Sequence, residues 1–172
     1  VQEVQDGTSG AVKLADPFVE EEVLILFVDT LIDADLALAR GLVETTGGVL
    51  WAQDVEDYQP YGVILPDEEG HMVRIVEKPS EPISKLANIG LYYIKDWQLL
   101  FEGVRHTLDA RPGPSGEFYL TDAFQYMVDH GSQHQVAPVH GWYDFRKLEP
   151  LIETNRHLLR GGRSGFADTA TL

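Results

Sequence analysis

The sequence predicts one α/β domain in which helices flank a mixed β-sheet. Strand-like apolar segments alternate with amphipathic helical segments along the chain, which is typical of this fold class. The most apolar segment, residues 23–28, is continuous, as in a strand that is covered on both faces. Residues 67–70 join two strand-like segments as a short hairpin turn. With 172 residues, of which 44% are hydrophobic, the chain is long enough to bury one core.

The predicted elements divide the chain into a domain at 1–160 and a polar, small-residue tail or linker stub at 161–172. The predicted strands cover residues 23–28, 49–55, 61–65, 72–77, 89–94 and 135–139. The predicted helices cover residues 8–15, 33–44, 97–108, 118–130 and 147–159. In the fourth helix the apolar residues form one stripe, and Gly131 follows the last of them, which indicates that the helix ends there.

Composition excludes several classes of function. Thirteen basic residues against 28 acidic ones give a net charge of −15, which argues against a nucleic-acid partner or an anionic membrane surface. The absence of cysteine excludes disulfides, thiolate metal sites and a cysteine nucleophile. The longest apolar run is far too short to span a membrane, so we expect no membrane association and a cytoplasmic location.

Two aspartates follow predicted strands and are candidate metal ligands. Asp29 ends the most apolar strand, at the kind of sheet edge where α/β proteins bind ligands, and a carboxylate there suits Mg²⁺. Asp144 follows Trp142 and Tyr143 and would supply a second carboxylate. Alternatively, Asp29 caps the following turn and Asp144 is a surface residue.

A second group of candidates suits a sugar phosphate. Glu77 ends a strand and can accept hydrogen bonds from sugar hydroxyls, while Lys78 offers a point charge for phosphate. Gly62 after Tyr61 allows a ligand to approach the backbone closely. The alternatives are an ion-paired strand end and a glycine that only begins a strand. Thr121, near a helix start, is expected to satisfy free backbone amides.

The order of these motifs resembles that of the sugar-phosphate nucleotidyltransferases, the pyrophosphorylases that make nucleotide sugars. Glucose-1-phosphate thymidylyltransferases and the uridylyltransferases are examples, and the resemblance runs from Gln2 to about Leu159. The matching segments are Gln2 with Gly7-Thr8, Val28-Asp29-Thr30, Tyr61-Gly62-Val63, Val76-Glu77-Lys78-Pro79, Asn88-Ile89-Gly90, Gly116 to Asp122 and Trp142-Tyr143-Asp144.

The resemblance implies a three-layer α/β/α, Rossmann-like (GT-A-like) nucleotidyltransferase fold. It also implies transfer of a nucleotidyl group from a nucleoside triphosphate to a sugar 1-phosphate, with Mg²⁺ as cofactor. We expect the triphosphate to be dTTP or UTP. Gln2 resembles the residue that recognises the base, and Gly7 and Thr8 resemble the turn beneath it. Asp29 and Asp144 resemble the two magnesium ligands.

The same resemblance assigns the sugar 1-phosphate to the middle of the chain. Tyr61 and Gly62 would line the sugar pocket, Glu77 and Asn88 would bind sugar hydroxyls, Lys78 would contact the phosphate, and Gly90 would leave room for the ring. A protein that catalyses phosphoryl transfer mainly positions the reactants and neutralises their charge, and these residue types can do both.

The chain also departs from the family pattern. Members begin with a strand and a Gly-rich loop (Gly-x-Gly-x-Arg-Leu-x-Pro, then Pro-Lys) that does not occur here. Val28 and Arg146 stand where glycine is usual. We therefore expect an N-terminally truncated domain with an open sheet edge, through which it forms a homo-oligomer. The alternative to an enzyme is a non-catalytic relative that binds sugar phosphates or nucleotide sugars, or that self-assembles.

Overall fold

A central mixed sheet carries helices on both faces in the computed structural model, which describes residues 2–42, 44–113, 115–144, 152, 154–156 and 158–159. The strands are β1 (Val23–Leu26), β2 (Thr30–Asp33), β3 (Gly48–Asp54), β4 (Gly62–Pro66), β5 (Met72–Glu77), β6 (Leu86–Ile94), β7 (His134–Pro138) and β8 (Gly141–Asp144). The helices are α1 (Thr8–Lys13), α2 (Ala37–Leu42), α3 (Trp97–Asp109) and α4 (Leu120–Asp129).

The main sheet has the order β5-β4-β6-β3-β7, and β1 pairs with β6 beyond the end of β4. The β3–β7 pair is parallel, and β6 is antiparallel to β1, β3 and β4. The hairpin predicted at 67–70 joins β4 and β5. A separate two-stranded sheet pairs β2 with β8. The predicted mixed sheet is therefore confirmed.

Two hydrophobic clusters lie on opposite faces of this sheet. The larger cluster packs α3 and α4 against β3, β5 and β6, with Tyr92 and Phe124 among its fully buried side chains. The smaller cluster contains Trp51 and Leu91. Ala39 of α2 is the one helical residue among the buried residues of this cluster. The arrangement is a three-layer α/β/α domain in which one helical layer is much thinner than the other.

The predicted helices at 97–108 and 118–130 are confirmed as α3 and α4. Their apolar residues recur at helical spacing, which is why the sequence predicted them. In α4 the stripe that contains Ala123, Phe124 and Met127 is buried, and Gly131 adopts a φ of 89° just past the helix end. That positive φ is the conformation that commonly ends a helix, and glycine adopts it without strain.

The prediction for residues 33–44 was partly wrong. Among the described residues of this range, a helix occupies Ala37–Leu42, Asp33 ends β2, and 34–36 connect the two. β8 was also missed, as was a short 3₁₀ helix at Asp16–Phe18. Both missed strands are four residues long and pair only with each other, so neither carries a periodicity long enough to detect.

The prediction that residues 23–28 form a strand covered on both faces was wrong in two respects. β1 ends at Leu26, and Val28 lies in a turn and is 93% exposed. Leu24 and Leu26 are 49% and 51% exposed, because no described element covers that face of β1. The apolar run is that of an interior strand, yet the described chain covers only one of its faces.

The predicted C-terminal helix lies largely outside the described residues, although 152, 154–156 and 158–159 are helical. The tail at 161–172 also lies outside them. Within the described part of the chain, no helix is both long enough and apolar enough to cross a membrane.

Candidate functional site

Six of the predicted site residues line one small cavity of about 80 Å³, here called the polar cavity. It lies where the start of β4, the end of β5, the middle of β6 and the turn after β1 meet. Its lining includes Asp29, Tyr61, Gly62, Glu77, Asn88 and Gly90 from the predicted set, together with Trp142 of β8. Residues that are far apart in sequence therefore converge at one place.

Glu77 is held in the cavity wall by contacts from two other elements. The Thr121 hydroxyl donates to Glu77 Oε2 at 3.3 Å. A Cβ on Gly62 would lie 2.8 Å from the same oxygen, so a glycine is what lets the carboxylate occupy this place. Burial raises the pKa of Glu77, and the positive charge of Lys78 and the Thr121 hydroxyl partly offset this.

Two residues of the cavity wall each have a buried polar atom with no hydrogen-bond partner among the described residues: Asn88 Oδ1, an acceptor, and Trp142 Nε1, a donor. The Trp142 ring packs edge-on against Tyr61 with 5.0 Å between ring centroids. A buried polar atom without a partner typically costs about 1–3 kcal/mol. A hydroxyl group that comes within hydrogen-bond distance of either atom would satisfy it, because a hydroxyl both donates and accepts.

Lys78 has an unusual backbone conformation directly beside the cavity. Its φ is 43°, in the left-handed region that is uncommon for residues other than glycine. Its N–H donates to the Tyr61 carbonyl at 3.0 Å, and its Nζ lies 5.3 Å from the centre of the Tyr119 ring. Such strained residues cluster at functional sites, where the surrounding structure maintains the strain.

Gly90 lines the polar cavity and also makes room for Phe27. Its φ is 81°, and a Cβ there would lie 2.7 Å from the ring of Phe27. The Gly90 carbonyl accepts a hydrogen bond from Phe27 N–H at 2.9 Å. The space at Gly90 is thus filled by Phe27, which carries the chain from β1 to Asp29.

The two candidate metal ligands lie at the same end of the β2–β8 pair, Asp29 in the turn just before β2 and Asp144 at the end of β8. Asp29 precedes Thr30, whose register partner in the β2–β8 pair is Asp144. Antiparallel partners have their Cα atoms about 4.5–5.5 Å apart, so the two backbones are close. The side chain of Asp144 lies outside the described part of the structure. Among the described side chains no group of three or more histidine or acidic residues is arranged to hold a metal.

Gln2 and Gly7 do not line the polar cavity. The Gln2 side-chain amide donates to Asp6 Oδ1 at 2.9 Å and to the Gly7 carbonyl at 3.2 Å. Thr8 accepts a hydrogen bond from Leu120 N–H at 2.8 Å and so satisfies a free amide of α4. The prediction that Thr121 has such a role was wrong, since its hydroxyl bonds to Glu77 instead.

A larger, mostly apolar groove of about 480 Å³ lies between α1 and β1 and is here called the α1–β1 groove. Its lining consists of Thr8, Ala11 and Val12 together with residues 25–29. Asp29 borders both this groove and the polar cavity, so the groove that Thr8 lines adjoins the polar cavity at this aspartate.

Sequence reasoning missed Trp142 as a cavity residue and Thr121 as a partner of Glu77. For Trp142, only its position two residues before Asp144 pointed to the site. Thr121 lies one residue inside α4, and its contact with Glu77 spans elements that sequence spacing cannot relate.

The nucleotidyl transferase family model matches residues 1–161. The chain belongs to this family. Its relatives include the bifunctional protein GlmU of Methanococcus aeolicus, which is 28% identical over 90% of this chain and 36% of that protein. A glucose-1-phosphate thymidylyltransferase of Streptomyces antibioticus is 33% identical over 61% of this chain and 28% of that protein.

Solved structures support the fold. A UDP-glucose pyrophosphorylase in complex with UDP-glucose superposes with a TM-score of 0.75 at 22% identity. That match covers 92% of this chain and 64% of the other. The domain therefore has the Rossmann-like nucleotidyltransferase fold expected from the sequence, and the chain spans less than half the length of the curated relatives named above.

Proposed function

We propose that the protein takes part in nucleotidyl transfer from a nucleoside triphosphate, dTTP or UTP, to a sugar 1-phosphate, and that the polar cavity binds the sugar. The proposal includes a cytoplasmic location, in keeping with a substrate pair of soluble metabolites. Family membership supports the general reaction, and the polar cavity of this chain supports the assignment of the sugar.

The observation that carries the proposal is that two residues lining one cavity each hold a buried polar atom, Asn88 Oδ1 and Trp142 Nε1, that has no partner in the part of the chain that the structure describes. Together with the Glu77 carboxylate they offer two acceptors and a donor around a small space. Such a set matches vicinal hydroxyls, each of which can accept one hydrogen bond and donate another. Tyr61 and Trp142 add aromatic faces on which the apolar side of a sugar ring can pack.

Lys78 is the residue we assign to the phosphate of the sugar. It directly follows Glu77 of the cavity wall, its Nζ lies 5.3 Å from the centre of the Tyr119 ring, and its left-handed backbone makes a hydrogen bond to the Tyr61 carbonyl. A lysine serves as a point charge for phosphate and needs no particular angle of approach. The backbone strain keeps this charge beside Glu77, which binds the hydroxyls in our proposal.

Asp29 and Asp144 would hold Mg²⁺, since carboxylate oxygens are the ligands that this cation prefers and Asp29 directly precedes Thr30, the register partner of Asp144. When bound, the ion neutralises charge on the phosphate oxygens. The residues of the cavity orient the sugar 1-phosphate so that its phosphate oxygen attacks the α-phosphorus in line. The bond to the β-phosphate breaks and pyrophosphate leaves with the electron pair.

We assign the nucleobase to the side of Asp29 opposite the sugar, where Thr8 lines the α1–β1 groove and Gln2 and Gly7 lie in the adjoining segment. The Gln2 amide would have to exchange its contact with Asp6 for the base. This arrangement puts the triphosphate across Asp29, between the base and the sugar.

A thermal-shift panel tests the proposal. The chain is melted with sugar 1-phosphates, nucleoside triphosphates and nucleotide sugars, with and without Mg²⁺, and pyrophosphate release is followed in parallel. A ligand that binds only the folded state adds RT ln(1 + [L]/Kd), about 2.7 kcal/mol at a hundredfold excess over Kd. Stabilisation by one sugar 1-phosphate is expected. Stabilisation without turnover supports the binding-module alternative, and no response to any sugar compound contradicts the proposal.

A further inference from the structure

Glu77 is a partly buried carboxylate without an ion-pair partner among the described residues. Its Oε2 accepts a hydrogen bond from the Thr121 hydroxyl, while Oε1 forms no hydrogen bond with the described part of the chain. Buried charges are normally paired, because a charge that is removed from water without a partner is costly. Glu77 lines the polar cavity, so a bound ligand can supply the missing cation.

Acidic groups outnumber basic ones around Glu77. This residue also lines a groove of about 480 Å³ between β5 and α4, whose charged lining residues are Arg74, Glu77, Asp122 and Asp129. Burial raises the pKa of Glu77, and the charges of Asp122 and Glu117 raise it further. The charge of Lys78 opposes this rise. A ligand that places a positive group beside Glu77 is therefore favoured over one that places a neutral group there.

Asn88 offers a second acceptor close to the same carboxylate. Its Oδ1 is buried and has no hydrogen-bond partner among the described residues. Asn88 and Glu77 both flank Gly62, where a Cβ would lie 2.8 Å from Glu77 Oε2 and 3.6 Å from Asn88 Cβ. Two neighbouring acceptors, one of them charged, suit an ammonium group, which has three N–H donors and no acceptor. A hydroxyl has one donor and brings no charge.

We propose that the sugar 1-phosphate bound in the polar cavity carries a free amine, and that its ammonium group pairs with Glu77 and donates to Asn88 Oδ1. This proposal rests on the proposed function and names the class of sugar within it. Lys78, which we assign to the phosphate, directly follows Glu77 in the chain. Adjacent contacts of this kind fit an amine on the carbon next to the one that carries the phosphate, as in a 2-amino-2-deoxyhexose 1-phosphate.

Calorimetric titration of the chain with glucosamine 1-phosphate, glucose 1-phosphate and N-acetylglucosamine 1-phosphate tests the proposal. We expect glucosamine 1-phosphate to bind at least about tenfold more tightly than the other two, equivalent to about 1.4 kcal/mol. Glucose 1-phosphate has a neutral hydroxyl in place of the amine, and acetylation leaves one N–H and no charge. Equal or tighter binding of either neutral sugar would overturn this proposal and leave the proposed function standing. Binding of none of the three would contradict both.

Two variants test whether Glu77 is the group that recognises the amine. Glu77→Gln keeps the shape of the side chain and removes its charge, so the preference for glucosamine 1-phosphate over glucose 1-phosphate should fall below about threefold. Glu102→Gln removes an exposed charge of α3 that lines neither the polar cavity nor the groove between β5 and α4, and should keep the preference. Circular dichroism confirms that each variant is folded. An unchanged preference in Glu77→Gln, or an equal loss in Glu102→Gln, would overturn the proposal. If Glu77→Gln does not fold, the comparison of the three ligands on the wild type still decides.

Discussion

Exposed large apolar side chains are concentrated between Val4 and Leu38, whereas the buried hydrophobic residues lie in the rest of the described chain. The buried hydrophobic residues begin at Ala39, whereas most of the exposed large hydrophobic side chains lie before it, Phe18, Leu24 and Val28 among them. Both stretches contain runs of apolar residues. The difference is that β3 and β6 have neighbours on both sides and both faces, and β1 does not. Burial depends on which elements are present to pack, and composition alone does not decide it.

The same difference separates the two candidate binding regions. The polar cavity is built from β4, β5 and β6 of the main sheet, the turn after β1, and β2 and β8, and it brings together most of the predicted sugar-binding residues. The residues assigned to the base lie beside β1, where the groove is open and apolar. We therefore expect the sugar half of the proposed site to be better organised than the nucleotide half.

One phenylalanine from each region gives the largest expected contrast. Phe124 is fully buried in the larger cluster and Phe18 is 84% exposed. Phe124→Ala should lower the free energy of unfolding by about 3–5 kcal/mol, since it leaves a cavity. Phe18→Ala should change it by less than about 0.5 kcal/mol. Urea unfolding measures both, and equal effects would mean that the two regions do not differ in packing.

Acid should destabilise the well-packed region through His134. Its imidazole is fully buried, its Nε2 lies 3.4 Å from Ser132 Oγ, and Ser132 donates to Asp96 at 2.6 Å. Burial lowers the pKa of His134 to about 4, with the Asp96 charge opposing this. The unfolded chain therefore binds a proton that the folded chain does not, so stability is retained above about pH 6.5 and falls as the pH decreases toward 4.

The expected loss attributable to His134 between pH 7.5 and 5 is about 2 kcal/mol. Glu77 acts in the opposite sense, because its raised pKa favours protonation in the folded state. Urea unfolding of His134→Gln at the two pH values isolates the histidine, with the exposed His140→Gln as control. An unchanged pH dependence in His134→Gln would show that the buried imidazole is not the cause.

Backbone strain at Lys78 is expected to have a smaller effect on the free energy of unfolding. Both Lys78→Gly and Lys78→Ala remove the ammonium, so both should weaken binding of a sugar 1-phosphate to the same degree. The glycine variant should be the more stable by about 1 kcal/mol, because it tolerates the φ of 43°. Thermal unfolding of the pair decides this, and a more stable alanine variant would contradict the left-handed backbone.

The fold was predictable from sequence where periodicity is long or a motif is distinctive. α3 and α4 have enough turns for their apolar stripes to show, and the β4–β5 hairpin carries a clear turn at 67–70. The convergence of Glu77, Asn88 and Tyr61 on one cavity followed from the order of family motifs, since no spacing relates them.

What sequence could not supply depends on contacts between distant elements. The pairing of β2 with β8, which sets Asp144 beside Thr30, joins short strands more than a hundred residues apart in the chain. The hydrogen bond from Thr121 to Glu77 and the filling of the space at Gly90 by Phe27 are also tertiary features. β1 is exposed because no described element covers one of its faces. The apolar pattern of its sequence shows only that the segment suits an interior strand.

The most direct test of the central claim, that the polar cavity binds the sugar, is calorimetric titration of a Gly62→Ala variant with the sugar 1-phosphate selected by the thermal-shift panel. The new Cβ would lie 2.8 Å from Glu77 Oε2 and 3.0 Å from Thr121 Cγ2, so it displaces the carboxylate from the cavity wall. Gly41→Ala is the control, since a Cβ there meets nothing within 4 Å. We predict at least about tenfold weaker binding for Gly62→Ala and no change for Gly41→Ala. Equal binding by both variants, with both folded, would contradict the assignment of the sugar to this cavity.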